Sequence, residues 1–227
     1  MSEGALRVWS ERLQSSIKDA KLKFAQLATV SSDGIPANRT VVFRGWYEQD
    51  GRKALRFITN GEAEKVAQAK ANSAAELCWY FTDSREQYRL TGDLEVVAAD
   101  AKDDKLVTLR KNQWSELSDS AREQFYWPQP RSVLPSGVDN FKDLLDKGAI
   151  PEGGKDSNGD LLQPPDTFVV MLLWPRYAKY LNLFDNFAQE DARVSKPDEE
   201  TVKGQNADIV AEGDGSDHVW KLTRVSP

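Results

Sequence analysis

Apolar positions change their period several times along this chain, and each change marks an element. Leu6, Trp9, Leu13, Ile17 and Ala20 recur at helical spacing and predict an amphipathic helix over 6–21. The period then shortens. FAQLATVSS (24–32) predicts a strand closed by the turn Ser32-Asp33-Gly34. PANRTVVFRGWYE (36–48) predicts a second strand, Gln49-Asp50-Gly51-Arg52 the next turn, and ALRFIT (54–59) a third strand. EAEKVAQAKANS (62–73) is rich in Ala, Glu and Lys and predicts a short helix. AAELCWYF (74–81) and QYRLTGDLEVV (87–97) are the fourth and fifth strands. In the fifth, Tyr88, Leu90, Leu94 and Val96 share one face, and Gln87, Arg89, Thr91, Asp93 and Glu95 the other. Gly92 inside it predicts a bend or bulge.

The second half is less regular. Two helical segments, DDKLVTLRKN and SELSDSAREQF, fill 102–126, the second opening on Ser and Asp residues suited to capping. A Pro-rich connection follows at 126–137, then one or two helical turns at 141–148 and an exposed loop near 149–165. TFVVMLLW (167–174) and AKYLNLF (178–184) predict two strands on either side of Pro175. Residues 186–216 read as a polar, partly mobile stretch, and HVWKLTRVSP (218–227) as a closing strand. No repeat and no linker divides the chain, so a single domain over 1–227 is expected. Consecutive strands with turn-length gaps favour antiparallel pairing. The predicted class is mainly β, a closed or split barrel with peripheral helices.

Composition narrows the chemistry. The 227 residues are 40% hydrophobic, enough for a sizeable core. No run approaches the roughly 18 apolar residues of a membrane span, and the first residues lack the apolar core of a secretory signal. A soluble cytoplasmic protein is expected, with no membrane partner. One cysteine, Cys78, excludes an intramolecular disulfide and a cysteine-rich zinc site, and one histidine, His218, excludes any site built on a histidine pair. No metal is expected. A net charge of −6 weighs against nucleic acid as the main partner.

Three places carry candidate chemistry. Arg39 and Arg44 bracket Thr40-Val41-Val42-Phe43, yet positions five apart in a regular strand face opposite sides. They serve one pocket only if the strand bulges or lies along an interface; two solvated arginines on an edge strand are an equal reading. The third strand ends in Ile58-Thr59-Asn60 and runs into a helix holding Lys65. Such a junction offers backbone N–H groups, a hydroxyl and a cation to a phosphate; alone, it reads more simply as Asn60 capping the helix. Gln87, between Arg85 and Arg89, can donate to and accept from a planar heterocycle, or simply face solvent. Cys78 reads as core and His218 as an ordinary surface residue.

In order and spacing these pieces resemble the FMN-binding split-barrel proteins related to pyridoxamine 5′-phosphate oxidase. The matching segments are Pro36-Ala37-Asn38-Arg39-Thr40-Val41-Val42-Phe43-Arg44, Phe57-Ile58-Thr59-Asn60, Lys65, and Arg85-Glu86-Gln87-Tyr88-Arg89-Leu90-Thr91-Gly92. The ending Trp220-Lys221-Leu222-Thr223-Arg224-Val225-Ser226-Pro227 is also similar to the family's. The resemblance implies a Greek-key split barrel that dimerises, with FMN at the subunit interface, acting as an oxidoreductase on a small molecule. It implies a cofactor set of Arg39, Thr40, Val41, Val42, Arg44, Ile58, Thr59, Lys65, Gln87 and Arg193, with Arg39, Thr59 and Lys65 at the phosphate, backbone 40–44 facing the ring and Gln87 at its polar edge. It assigns no catalytic residue. Glu64 stands where the family has an arginine, Gln189 and Asp191 where it has a substrate-binding arginine and histidine, and Leu183 near a family tryptophan. Tyr126 to Arg131 matches only part of the family's substrate-phosphate cluster. The chain is closer to the divergent relatives than to the oxidase proper, and a flavin reductase or FMN-binding protein without vitamin B6 chemistry is the alternative reading.

Overall fold

A computed structural model describes residues 7–195, the backbone of 209–210, and residues 218–227. Leu6, and the parts of the 186–216 stretch at 196–208 and 211–216, lie outside the described residues. The chain forms two compact units. The first comprises residues up to Phe57, Ala71–Glu95 and Leu172 onward; the second comprises Ile58–Lys70 and Val96–Met171.

The first unit opens with α1 (Trp9–Asp19), which buries Trp9, Leu13 and Ile17 one turn apart. Strands β1 (Phe24–Val30) and β2 (Pro36–Val42) form a hairpin in which Leu27 faces Arg39 and Phe24 faces Val42. The predicted 36–48 strand is in fact broken. Phe43 N–H still bonds to Lys23 O at 2.8 Å, but Arg44 N–H turns to Arg56 O at 2.8 Å. Gly45, with φ 119°, makes that corner possible. Beyond it β3 (Trp46–Gln49) and β4 (Arg52–Asn60) pair through Asp50-Gly51, both at positive φ, as a two-residue hairpin turn demands. Strands β5 (Ala74–Phe81) and β6 (Glu86–Val97) make the next hairpin.

Strand β7 (Phe168–Asn182) runs straight through Pro175, where two strands were expected. Gly92 explains the continuity: a Cβ there would sit 2.1 Å from Trp174 O, so β6 and the Pro175 backbone approach closely only because residue 92 has no side chain. β8 (Phe187–Ser195) corrects the expectation of a polar, partly mobile stretch over its first residues, which form an ordered strand. Its polar residues Gln189 and Asp191 are 1% and 2% exposed. They break the apolar alternation because their partners come from α1 rather than from solvent. β9 (Ile209–Val210) and β10 (His218–Val225) complete the order β2-β1-β5-β6-β7-β8-β10-β9, with β4 pairing β3 and β7. The register pairs of β1–β2, β1–β5, β3–β4, β5–β6, β7–β8 and β8–β10 are all antiparallel, as expected.

The second unit is mainly helical: α2 (Glu64–Ala71), α3 (Asp104–Ser115), α4 (Asp119–Glu123) and α5 (Lys142–Asp146). Asp103 caps α3 through Lys105 and Leu106 N–H, and Ser118 caps α4 through Ala121 N–H. Trp114, Phe125 and Phe168 form its aromatic core. The 149–165 segment is anchored at two points. Arg122 Nε donates to Gly153 O at 2.6 Å and Trp114 Nε1 to Leu162 O at 2.8 Å.

Candidate functional site

In the first unit the open face of the sheet collects several of the expected residues. Directly paired residues in an antiparallel sheet point to the same side. Thr40 is paired with Gln26, Val42 with Phe24, Gln26 with Cys78, and Tyr80 with Gln87. Thr40, Val42 and Gln87 therefore share one face across β2, β1, β5 and β6. Phe24 and Tyr80 on that face are 48% and 44% exposed, which leaves an apolar surface beside polar contacts. Such a surface suits a planar ring with a few polar edges.

Arg39 and Val41 lie on the opposite face, since their partners Leu27 and Ala25 are core residues. Val41 is buried; Arg39, nearer the hairpin end, is half-buried. Its Nη1 donates to Leu27 O at 3.0 Å and to Thr29 Oγ1 at 2.6 Å. Both acceptors are neutral, and burial lowers the guanidinium pKa from its ordinary value. A guanidinium held in a fixed plane suits the fork geometry of a phosphate. Arg44 stands past the corner with its side chain exposed, and its carbonyl accepts from Arg56 Nη2 at 2.9 Å. The strand breaks at this corner between the two arginines, and their hydrogen-bond partners differ. Beside it, a groove of about 650 Å³ is lined by Lys18, Lys23, Phe43, Gly45 and Trp46. Arg193 lies on β8 opposite Trp220, and β1, β5, β6 and β7 separate β8 from β2 in the sheet order.

In the second unit Ile58 is half-buried and Thr59 is buried. Lys65 Nζ donates to Thr59 Oγ1 at 2.9 Å, so the cation and the hydroxyl expected at this junction do meet. Asn60 orders the turn, its Oδ1 accepting from Glu62 N–H at 2.8 Å. The Thr59 hydroxyl and Lys65 ammonium suit a phosphate, and in the first unit the open face that carries Thr40, Val42 and Gln87 suits a planar ring, so each group fits a part of FMN. Among the described residues no group of three or more His, Cys, Asp or Glu could hold a metal ion.

The periodicity missed a polar network under α1. Val8 offers no side-chain cap to that helix. Asp191 does so from β8, its Oδ2 accepting from Trp9 N–H at 2.7 Å and its Oδ1 from Gln189 Nε2 at 2.5 Å. Arg12 Nη2 donates to Gln189 Oε1 at 3.0 Å, and its guanidinium lies over the Tyr180 and Phe187 rings. Glu86 accepts from Ser16, Ser84 and Tyr180 at 2.9, 2.6 and 2.7 Å. Gln189 and Asp191 are thus engaged by α1. Buried Ser10 and Arg12 in an otherwise amphipathic helix were the available signal.

Burial pushes the Asp191 carboxyl up to about 6, against the pull of Gln189, the Trp9 N–H and Arg12. The folded state therefore holds this proton more tightly than the unfolded chain, whose value lies near 3.9. The associated stability is fully present below about pH 4 and is lost as pH rises through 6, on the order of 3 kcal/mol. Unfolding free energy measured from pH 4 to 7 should fall at this site in the native chain and not in Asp191→Asn. A constant difference between the two would remove Asp191 from the pH dependence.

Comparison with known proteins adds the following. The model of the pyridoxamine 5′-phosphate oxidase FMN-binding domain matches residues 6–98. The chain is 33% identical to pyridoxine/pyridoxamine 5′-phosphate oxidase 2 of Arabidopsis thaliana over 165 residues, 72% of this chain and 75% of that one. It is 35% identical to the pyridoxine/pyridoxamine 5′-phosphate oxidase of Sinorhizobium fredii over 125 residues, 55% of this chain and 58% of that one. A crystal structure of a pyridoxamine 5′-phosphate oxidase-related, FMN-binding protein from Nostoc punctiforme superposes with a TM-score of 0.72 at 28% identity, covering 98% of this chain and 100% of that one.

Proposed function

The chain belongs to the pyridoxamine 5′-phosphate oxidase family of FMN-binding split-barrel proteins, and from that premise we propose that it is a homodimeric FMN-dependent oxidase of a small amine or alcohol. Pyridoxamine and pyridoxine phosphate are the first substrates to try. The observation that carries this reading is the shared open face of β2, β1, β5 and β6, which presents Thr40, Val42 and Gln87 together. FMN, when bound, accepts the two electrons of substrate oxidation.

The chain's own residues bind and orient. Arg39 is our candidate phosphate cation in the first unit, and the Thr59–Lys65 pair our candidate phosphate site in the second. Thr40, Val42 and the backbone up to Arg44 face the ring, with Val41 and Ile58 shaping the support behind. Gln87 meets the ring's polar edge, and Arg193 adds positive charge from the second subunit. A second copy would account for the separation of β8 from β2 and for the exposed edge of β2, which among the described residues pairs only with β1. The groove beside Phe43 and Trp46 is our candidate for substrate entry, and its volume suits a small molecule. Gln189 and Asp191 are held by α1. The flavin-carrier and reductase reading is less favoured, because the relatives are named as oxidases. No helix among the described residues is long and apolar enough to cross a membrane.

The test is oxygen-dependent peroxide release from the FMN-loaded protein on adding pyridoxamine or pyridoxine phosphate, with sedimentation to fix the oligomer. A dimer that releases peroxide supports the proposal. A monomer, or a loaded dimer inert to both substrates, contradicts the corresponding part.

A further inference from the structure

The Lys65–Thr59 pair at the head of α2 stands beside a carboxylate, Glu64. A negative charge next to Lys65 opposes any phosphate bound there. The structure sets Arg131 on that carboxylate, its Nη1 against Glu64 Oε1. Arg131 comes from the turn Gln129-Pro130-Arg131-Ser132, closed by Ser132 N–H to Gln129 O at 3.0 Å. It occupies the third position of that turn at φ 69°, a left-handed conformation that glycine or asparagine fills with less strain. Stability does not explain an arginine here. Its side chain is 78% exposed and that of Glu64 61% exposed, and ion pairs so exposed contribute little. Backbone strain with little gain in stability points to a use for the side chain.

We propose that Arg131 neutralises Glu64 and so allows the Thr59–Lys65 junction to accept a phosphate, making it a determinant of selectivity for phosphorylated over unphosphorylated flavin. The inference rests on the reading of Thr59 and Lys65 as phosphate ligands. It assigns Arg131 no contact with the flavin ring and requires none with the phosphate. Its action runs through the charge of Glu64, which makes a double-variant cycle the decisive test.

The experiment titrates the full-length chain, freed of flavin by dialysis, with FMN and with riboflavin, following flavin fluorescence. Arg131→Ala should weaken FMN binding roughly three- to tenfold and leave riboflavin unchanged. Adding Glu64→Gln to Arg131→Ala should restore FMN affinity to within about twofold of the native chain. Lys65→Ala tests the underlying reading, since it should lower the preference for FMN by itself. If Lys65→Ala lowers that preference and Arg131→Ala does not, the role of Arg131 is overturned and the phosphate reading stands. If neither changes it, the phosphate reading fails and takes this inference with it. A double variant as weak as Arg131→Ala overturns neutralisation as the mechanism. Thermal melts of each variant, expected within a few degrees of the native chain, separate these outcomes from misfolding.

Discussion

Replacing Arg39 with alanine should raise the FMN dissociation constant roughly ten- to a hundredfold, the loss of a charge-assisted phosphate contact of about 1.5–3 kcal/mol. The size of the effect comes from preorganisation. Leu27 O and Thr29 Oγ1 fix the guanidinium before any ligand arrives, so little side-chain entropy is lost on binding. Arg39→Lys should recover only part of the affinity, because an ammonium keeps the charge but not the planar fork. Riboflavin, which lacks the phosphate, should bind the native chain and Arg39→Ala almost equally. Fluorescence titration with both flavins makes the comparison, and an unchanged FMN dissociation constant in Arg39→Ala removes this residue from the site.

Gly92→Ala should be the most damaging single methyl in the first unit. Its Cβ would lie 2.1 Å from Trp174 O and 2.7 Å from Pro175 Cα, and both are backbone atoms that no rotamer change can move. β6 and β7 would have to separate where Trp174 Nε1 also donates to Glu95 at 2.8 Å. Overpacking of this kind costs about 3 kcal/mol or more. For a chain of this length that lowers the melting temperature by roughly 6–12 °C. A melting temperature within about two degrees of the native chain would show that the two strands tolerate separation there. Gln87 lies on the same strand, so flavin affinity should fall together with stability.

What the sequence made legible follows from where side-chain period and turn chemistry agree. Strands β1 and β5 alternate cleanly, β6 does so as far as Leu94, beyond which Val97 is buried rather than the expected Val96, and Asp50-Gly51 and Ser32-Asp33-Gly34 are strong turn signals, so most of that part of the fold could be read directly. The corner at 43–45 could not. Its apolar and β-branched run looks like one strand, and only the switch of hydrogen-bond partner from Lys23 to Arg56 reveals the break. Pro175 misled in the other direction, because a missing N–H usually ends a strand and the compensating Gly92 lies far away in sequence. β8 was hidden by Gln189 and Asp191, whose burial depends on Trp9 and Arg12 nearly the whole chain away.

The candidate site was legible to the same degree. Lys65 and Thr59 are close in sequence, and their contact follows from a strand running into a helix. The shared face of Thr40, Val42 and Gln87 required the register of three strand pairs, which no local pattern supplies. The Glu64–Arg131 contact joins segments with no common motif and had no signal in the sequence beyond the acid itself.

The central claim is that this chain grips the phosphate end of FMN, and the flavin content of the purified full-length protein tests it most directly. The account predicts yellow protein that absorbs in the blue and near ultraviolet and releases FMN, identified by mass, on denaturation. Colourless protein that stays colourless after incubation with excess FMN, with no rise in melting temperature, would contradict it.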